Sequence, residues 1–368
     1  MWPGGPPQAT DSMHATESIV GTAPAIEALR AQVRHLATFD TPGNPNVPTV
    51  LIEGETGTGK GLLARAVHAS GGRARGPFVD VNCSAIPETM LEAELFGFEA
   101  GAFTDAKRAK AGLFESAAGG SLFLDEIDSL PLTLQGKLLK AIEEKSVRRL
   151  GAVTAHRVDV KLIAASQRPL RDLVATAGFR ADLYHRLAVV VLDVPPLRER
   201  PQDIVLLGEH FLGRHAVAHG VEPKRLAADA RAWLLRQPRH GNVSELAHLM
   251  ERVTLLCPDG DVDLATLERL RGPTVAPPPA APPADDEPVR LRAALTRSGG
   301  NVVRAAKLLG LGRNALRNRM RRYGMERPTL EDLVPAAPGA STSQPAPAPN
   351  APPAPEPGAP AQAPRAGS

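Results

Sequence analysis

The sequence is poor in aromatics, in cysteine, in long apolar runs and in net charge. Phe, Trp and Tyr make up only 4% of its 368 residues, so Ala, Val and Leu must fill much of any core. The two cysteines, Cys83 and Cys257, stand far apart with no CxxC or Cys/His cluster around them. That pattern argues for buried reduced thiols rather than a disulfide or a metal site. The longest apolar run, Leu187 to Leu192, falls far short of the ~20 residues a membrane span needs. The opening MWPGGPPQATDSMHATES has neither the basic nor the apolar region of a secretory signal. A soluble, cytoplasmic protein with no membrane partner is expected. The net charge of +3 is too small for composition alone to imply a nucleic-acid partner.

What is present is strongly organised, and the length suggests two or three domains at ~150 residues each. Residues 1–16 read as disordered. From about Glu17 to Pro196 β-like runs alternate with helical patterns, as in α/β architecture. Candidate strands are 49–53, 78–82, 121–125, 158–166 and 189–194. Unbroken runs such as Leu122-Phe123-Leu124 suit a sheet covered on both faces. After Pro195-Pro196 the strands stop, and residues 197–271 read as a helical subdomain. Residues 272–288 form a Pro/Ala linker and 289–327 a small helical unit. The Pro/Ala-rich tail, 328–368, has too few large apolar residues to offset chain entropy.

Within the α/β region, Val50-Leu51-Ile52-Glu53 runs into Gly54-Glu55-Thr56-Gly57-Thr58-Gly59-Lys60 and a helix over 62–70. Glycines let the backbone curl so that its N–H groups converge on phosphate oxygens, and the helix N-terminus adds a favourable dipole. Lys60 supplies charge for the β/γ-phosphates of ATP. Gly61 stands where a Ser or Thr hydroxyl usually meets Mg²⁺. Further on, Gly120-Ser121-Leu122-Phe123-Leu124 ends in Asp125-Glu126. A carboxylate at the tip of a buried strand suits Mg²⁺ or its waters, which assigns Asp125 to the metal. Its neighbour Glu126 is placed to activate the attacking water.

Residues 289–327 carry eleven Lys/Arg against a single acid, Glu326, a phosphate-binding footprint that the modest overall charge hides. A helix over 289–296 stops at Gly299-Gly300, Asn301 caps a second over 302–309, and Gly310-Leu311-Gly312 turns into a third over 313–322. On the third, Leu316 and Met320 form a core stripe. Arg313, Asn314, Arg317, Asn318 and Arg321 supply the other side, with side chains that pair with guanine and adenine edges in the major groove. The bland alternative is a charged, solvated helix.

Between the phosphate loop and Asp125 lies Gly101-Ala102-Phe103-Thr104-Asp105-Ala106, a lone Phe among small residues. With this GAFTDA stretch added, the chain resembles the sigma-54-dependent transcriptional activators, bacterial enhancer-binding proteins of the AAA+ class, over roughly residues 17–326. GETGTGKG, VNCSAIPETMLEAELFGFEAGAFTDA, GGSLFLDEID, FRADLYHRL, VPPLRERPQDI and GNVSEL carry the resemblance. It implies an AAA+ P-loop ATPase fold with a parallel sheet flanked by helices, an α-helical lid and a Fis-type helix-turn-helix that binds enhancer DNA. It implies homo-oligomers from dimer to hexameric ring, acting on the sigma-54 RNA polymerase holoenzyme. Asn82 matches the asparagine that restrains the catalytic glutamate, Arg180 and Arg186 the arginine fingers reaching a neighbouring subunit's nucleotide, and Gln167 the first sensor. Gly101 to Ala106 match the loop that contacts sigma-54, its Phe and Thr foremost.

The departures from the family pattern are Asp105 for Gly, Ser244 for the sensor arginine, Arg239-His240 for Trp-Pro, Gln167 for Asn or His, and Gly61. They predict weaker nucleotide binding or slower turnover than the family norm, offset by Arg239. They also keep open a different reading, a DNA-binding regulator or repressor that retains the fold with weak or no ATPase activity. A metabolic P-loop kinase would leave GAFTDA and the basic helical unit without a role. The ATPase pattern begins near Ile19, so no sensor domain precedes it in this sequence, and control by a protein acting in trans or by expression level is expected.

Overall fold

The computed structural model describes residues 16–44, 46–103, 106–238, 240–258, 260–271, 287–298, 300–309 and 316, 317, 319, 320, 323 and 325. The expected N-terminal segment lies outside these residues except for Thr16, which is buried. Most of the linker and all of the tail lie outside them too. The chain divides into two bodies, Met1–Pro277 and Pro278–Ser368, each taken by itself.

The first body opens with α1 (Pro24–Ala37), whose first helical residue is proline, where a missing N–H costs nothing. Then come β1 (Val50–Glu53), α2 (Lys60–Ser70), β2 (Phe78–Asn82), α3 (Glu88–Phe96), β3 (Ser121–Asp125), α4 (Leu132–Glu144), β4 (Lys161–Ser166), α5 (Ala181–Leu187) and β5 (Val190–Asp193). The five strands form one parallel sheet in the order β2-β3-β4-β1-β5. All five sequence-derived strands are present, shortened by one to three residues at some ends. Both faces are covered. Leu122 and Leu124 of β3 pack into one core with α3, α4 and α5, and Phe123 into the other with α1 and α2. The period of two along a doubly buried strand explains why the run is apolar throughout.

The lid follows, with α6 (Pro201–His219), α7 (Ala228–Arg236), α8 (Asn242–Leu256) and α9 (Leu264–Leu270) around a core of Leu207, Phe211, Trp233, Leu246 and Met250. One correction falls here. Arg225–Leu226 and Asp261–Val262 pair as a two-residue parallel ladder, so this region is not helical only. Two residues carry no readable alternation, which is why sequence periodicity passes over them. No helix among the described residues is long and apolar enough to cross a membrane.

The second body holds α10 (Glu287–Arg297) and α11 (Val302–Leu308). α10 begins inside the stretch expected to be linker, because Pro288 sits in its first turn, where proline is tolerated. Gly300 (φ 74°) closes it by donating its N–H to the Leu295 carbonyl. Asn301 caps α11, its Oδ1 accepting from the N–H groups of Val303 (3.0 Å) and Arg304 (3.1 Å). Leu316 and Met320 are buried against Leu291, Leu295 and Ala305, the stripe expected of them.

Candidate functional site

Parallel register brings the chemistry to one edge of the sheet. Asn82 is paired with Asp125, Leu124 with Ala164 and Glu53 with Ser166, so the C-terminal ends of β2, β3, β4 and β1 lie side by side. Ligands of open parallel sheets bind outside these ends. Gly54 to Lys60, Asp125-Glu126, Gln167 and Asn82 all emerge there.

The phosphate loop is held open from below and closed from the lid side. Gly57 (φ 77°) accepts from the backbone N–H groups of Val243 (2.9 Å) and Ser244 (3.2 Å). A Cβ on Gly57 would lie 2.4 Å from the Gly241 carbonyl oxygen, so both conformation and space require glycine. Lys60 is buried, and its Nζ donates to the loop's own carbonyls at Gly54 (2.8 Å) and Glu55 (3.1 Å). Burial lowers its pKa, opposed by Asp125, Asp128 and Glu126. α2 begins at Lys60, two residues ahead of the sequence expectation. At Gly61 a Cβ would meet only a Phe123 ring carbon at 3.9 Å, so there is room for a hydroxyl-bearing side chain.

Glu126 has φ 53°, a left-handed conformation rare for a residue with a side chain and often found at functional sites. Its backbone N–H donates to Asp125 Oδ1 at 2.9 Å. Its carboxylate Oε1 accepts from Gln167 Nε2 at 2.6 Å, and Gln167 Oε1 accepts from Thr56 Oγ1 at 2.8 Å. Gln167 therefore joins phosphate loop to glutamate. Asn82 does not bond Glu126 here. Its Oδ1 is occupied by Ser84 N–H, Ser84 Oγ–H and Ala85 N–H. Burial raises the Asp125 carboxyl above its usual range. The neighbouring Cys83 thiol is pushed up to about 12 by burial and then by Asp125, Glu126 and Asp128. That local excess of carboxylate charge suits a divalent cation, and it leaves Cys83 an inert thiol.

Several residues at this edge escaped the sequence reading. Arg198 forks onto the Glu55 carboxylate (2.7 and 2.8 Å) and holds it well below the usual range. Asn242, buried and left-handed at φ 53°, accepts from Leu197 N–H and donates to Glu55 Oε2 and the Thr56 carbonyl. Arg200 Nη2 donates to the Thr58 carbonyl at 3.1 Å. Buried Asp203 accepts from Thr22 N–H, Thr22 Oγ–H and Ala23 N–H, tying the lid to the segment before α1. Between these parts lies a mostly apolar cavity of about 300 Å³, lined by Ile19, Val20, Leu62, Leu207, Phe211 and Val243 among others. Only the Pro-Leu-Arg-Glu-Arg and Gly-Asn-Val strings signalled these contacts in the sequence, and neither says what it touches.

Arg180 precedes α5 as its N-cap residue and Arg186 lies in its last turn, and both are exposed. Arg180 grips its neighbour Asp182 through two hydrogen bonds, and among the described residues Arg186 makes no side-chain hydrogen bond. Neither bonds its own phosphate loop. Gly101, Ala102, Phe103 and Ala106 lie between the strands of a two-stranded ribbon, Gly97–Phe98 with Lys110–Ala111, following α3. Arg149 braces its base by bridging Glu99 and Glu115. Gly101 N–H donates to the Ala106 carbonyl and Ala106 N–H to the Phe103 carbonyl. Phe103 is 44% exposed and leans on Phe98, ring centroids 4.9 Å apart. It is thus less isolated than its small neighbours suggest. Thr104, Asp105 and Arg239 lie outside the described residues, as do Arg313, Asn314, Asn318 and Arg321. Arg317 is half-buried, beside buried Leu316.

Three family models match the chain: the Sigma-54 interaction domain over residues 19–193, the AAA+ ATPase lid domain over 198–275, and the bacterial regulatory protein Fis family over 284–323. The sigma54-dependent transcriptional activator SfnR of Pseudomonas putida is 39% identical over 360 residues, covering 89% of this chain and 96% of SfnR. The response regulator protein PilR of Pseudomonas aeruginosa is 40% identical, covering 84% of this chain and 70% of PilR. Among solved structures, NtrX from Brucella abortus in complex with ADP superposes with a TM-score of 0.61 at 34% identity, covering 85% of this chain and 71% of NtrX.

Proposed function

The chain belongs to the sigma-54-dependent transcriptional activators, with an AAA+ lid and a Fis-type DNA-binding domain, and from that premise we propose an ATP-driven remodeller of the sigma-54 polymerase at promoters. The observation that carries this reading is the hydrogen-bonded chain Thr56–Gln167–Glu126, which ties the phosphate loop to a carboxylate with no other evident task. Relatives solved with ADP and ATP support a nucleotide at this edge. The base fits the cavity beside Ile19 and Val20, and Lys60 turns from the carbonyls of its own loop to the β/γ-phosphates. Asp125 would hold Mg²⁺ through its waters, and the ion when bound neutralises phosphate charge. Glu126 takes the proton of the attacking water; Gln167 holds it here, and Asn82 would restrain it only on turning away from Ser84 and Ala85. Arg180 and Arg186, exposed on one subunit, complete the site of the next, so activity requires a ring. Phe103 and Thr104 engage sigma-54. Arg313, Asn314, Arg317, Asn318 and Arg321 read enhancer DNA.

The test is Mg²⁺-dependent ATPase activity measured against protein concentration. Activity should rise steeply with concentration, vanish in Lys60→Ala and fall to a small residual rate in Glu126→Gln. Phe103→Ala should keep ATPase activity and lose open-complex formation with sigma-54 holoenzyme. A second reading, regulation of DNA without hydrolysis, is favoured by Gly61 and Ser244. It wins if no protein concentration yields Mg²⁺-dependent hydrolysis.

A further inference from the structure

α6 and α8 pack along each other in the lid core. Past that core three side chains converge, His215 and His219 one turn apart on α6, and Glu251 on α8. Their ligating atoms all lie within 4.8 Å of one another. His219 Nε2 and Glu251 Oε1 are 3.8 Å apart, and the two imidazoles stack with centroids 6.3 Å apart. His215 Nε2 is buried and has no hydrogen-bond partner. A buried ring nitrogen without a partner is a donor atom that a metal ion can take up. The nearby cation, Arg214, is drawn over the Phe211 ring, 5.0 Å from its centroid.

We propose that His215, His219 and Glu251 bind a divalent transition metal of the zinc class, which pins α6 to α8. Two imidazoles and one carboxylate are a zinc-type donor set with a fourth position open to water. Ligand distances of ~2.0–2.1 Å require donor atoms about 3.3 Å apart. His219 and Glu251 are half-exposed at 36% and 41%, so rotation of these two side chains closes the gap. The same two helices supply Leu207, Phe211 and Val243 to the wall of the 300 Å³ cavity. The ion would therefore stiffen that wall as well as the lid.

The test uses the full chain, stripped with a chelator and titrated calorimetrically with Zn²⁺, with Co²⁺ absorbance as a report of coordination. One ion per chain is expected, bound at least tenfold more weakly by His219→Ala and by Glu251→Gln. At ~100-fold excess over the wild-type Kd, Zn²⁺ should raise the wild-type Tm by roughly 5 °C and that of each variant by no more than about half as much. Metal-free Tm values matching wild type show that the half-exposed substitutions leave the fold intact. Absence of stoichiometric binding overturns the proposal. So does binding of equal affinity in both variants, which would mean an adventitious ion only. Neither readout depends on ATPase activity.

Discussion

Replacing Gln167 with alanine removes the bridge between phosphate loop and glutamate. The bond from Nε2 to Glu126 Oε1 is short at 2.6 Å and charge-assisted, and the bond from Thr56 to Oε1 is 2.8 Å and neutral. A hydrogen bond to a charged group contributes about 1.5–3 kcal/mol, discounted here to about 1–2 kcal/mol because the pair is only partly buried. If that bond orients Glu126 toward water, its loss acts on the transition state and lowers kcat by roughly 5- to 30-fold. The Thr56 bond is exposed, so KM for ATP should move by no more than about threefold. The assay is steady-state Mg²⁺-ATPase at ring-forming concentration, repeated in a Glu126→Gln background. Residues acting through one another are non-additive, so Gln167→Ala should cost nothing further there. A kcat within twofold of wild type, or an equal loss in both backgrounds, would refute the reasoning.

Four further outcomes follow from the same geometry. Ser244→Arg places a guanidinium beside Gly57 and should raise ATPase activity by roughly fivefold, worth about 1 kcal/mol; an unchanged rate counts against the missing sensor arginine as the weak point. Gly61→Thr has room, so thermal melts should show no loss and a gain of about 0.3–0.5 kcal/mol from helix propensity, while Mg²⁺ titrations of activity should shift to lower concentration. Asp203→Ala strands the buried Ala23 N–H and loosens the two part-buried Thr22 donors and should cost about 2–3 kcal/mol by urea unfolding, with nucleotide affinity falling as the segment before α1 loosens. Burial raises the Asp125 carboxyl, so the metal-free folded state holds its proton longer than the unfolded chain, and this group's contribution to stability falls as pH rises through that window above 3.8. Asp125→Asn should therefore melt higher than wild type near neutral pH without Mg²⁺, the difference closing below about pH 4.

Local signals were the legible ones. A strand, a glycine-rich loop and a helix are contiguous, and so is an apolar strand ending in two acids. Their spacing alone places Lys60, Asp125 and Glu126. Asn301 reads as a cap because its side chain serves its own next turn. Leu316 and Met320 read as core because helical period puts them on one face. By contrast, the partner of Glu126 is Gln167, 41 residues away, where the family pattern pointed to Asn82. The ties from Arg198 and Asn242 to Glu55 span well over a hundred positions. Nothing in periodicity or capping reports such distances.

By itself, the sequence determined the parallel α/β class, the phosphate loop, the acidic strand tip and the basic helical unit, because each depends on residues within a few turns of one another. Tertiary structure alone decided what closes over the nucleotide edge, which side chain holds Glu126, that Phe103 leans on Phe98, and that His215, His219 and Glu251 meet. Those are products of register and helix packing. Contacts of that kind are chosen by how whole faces fit, and a side chain's identity does not announce which distant residue that fit will bring to it.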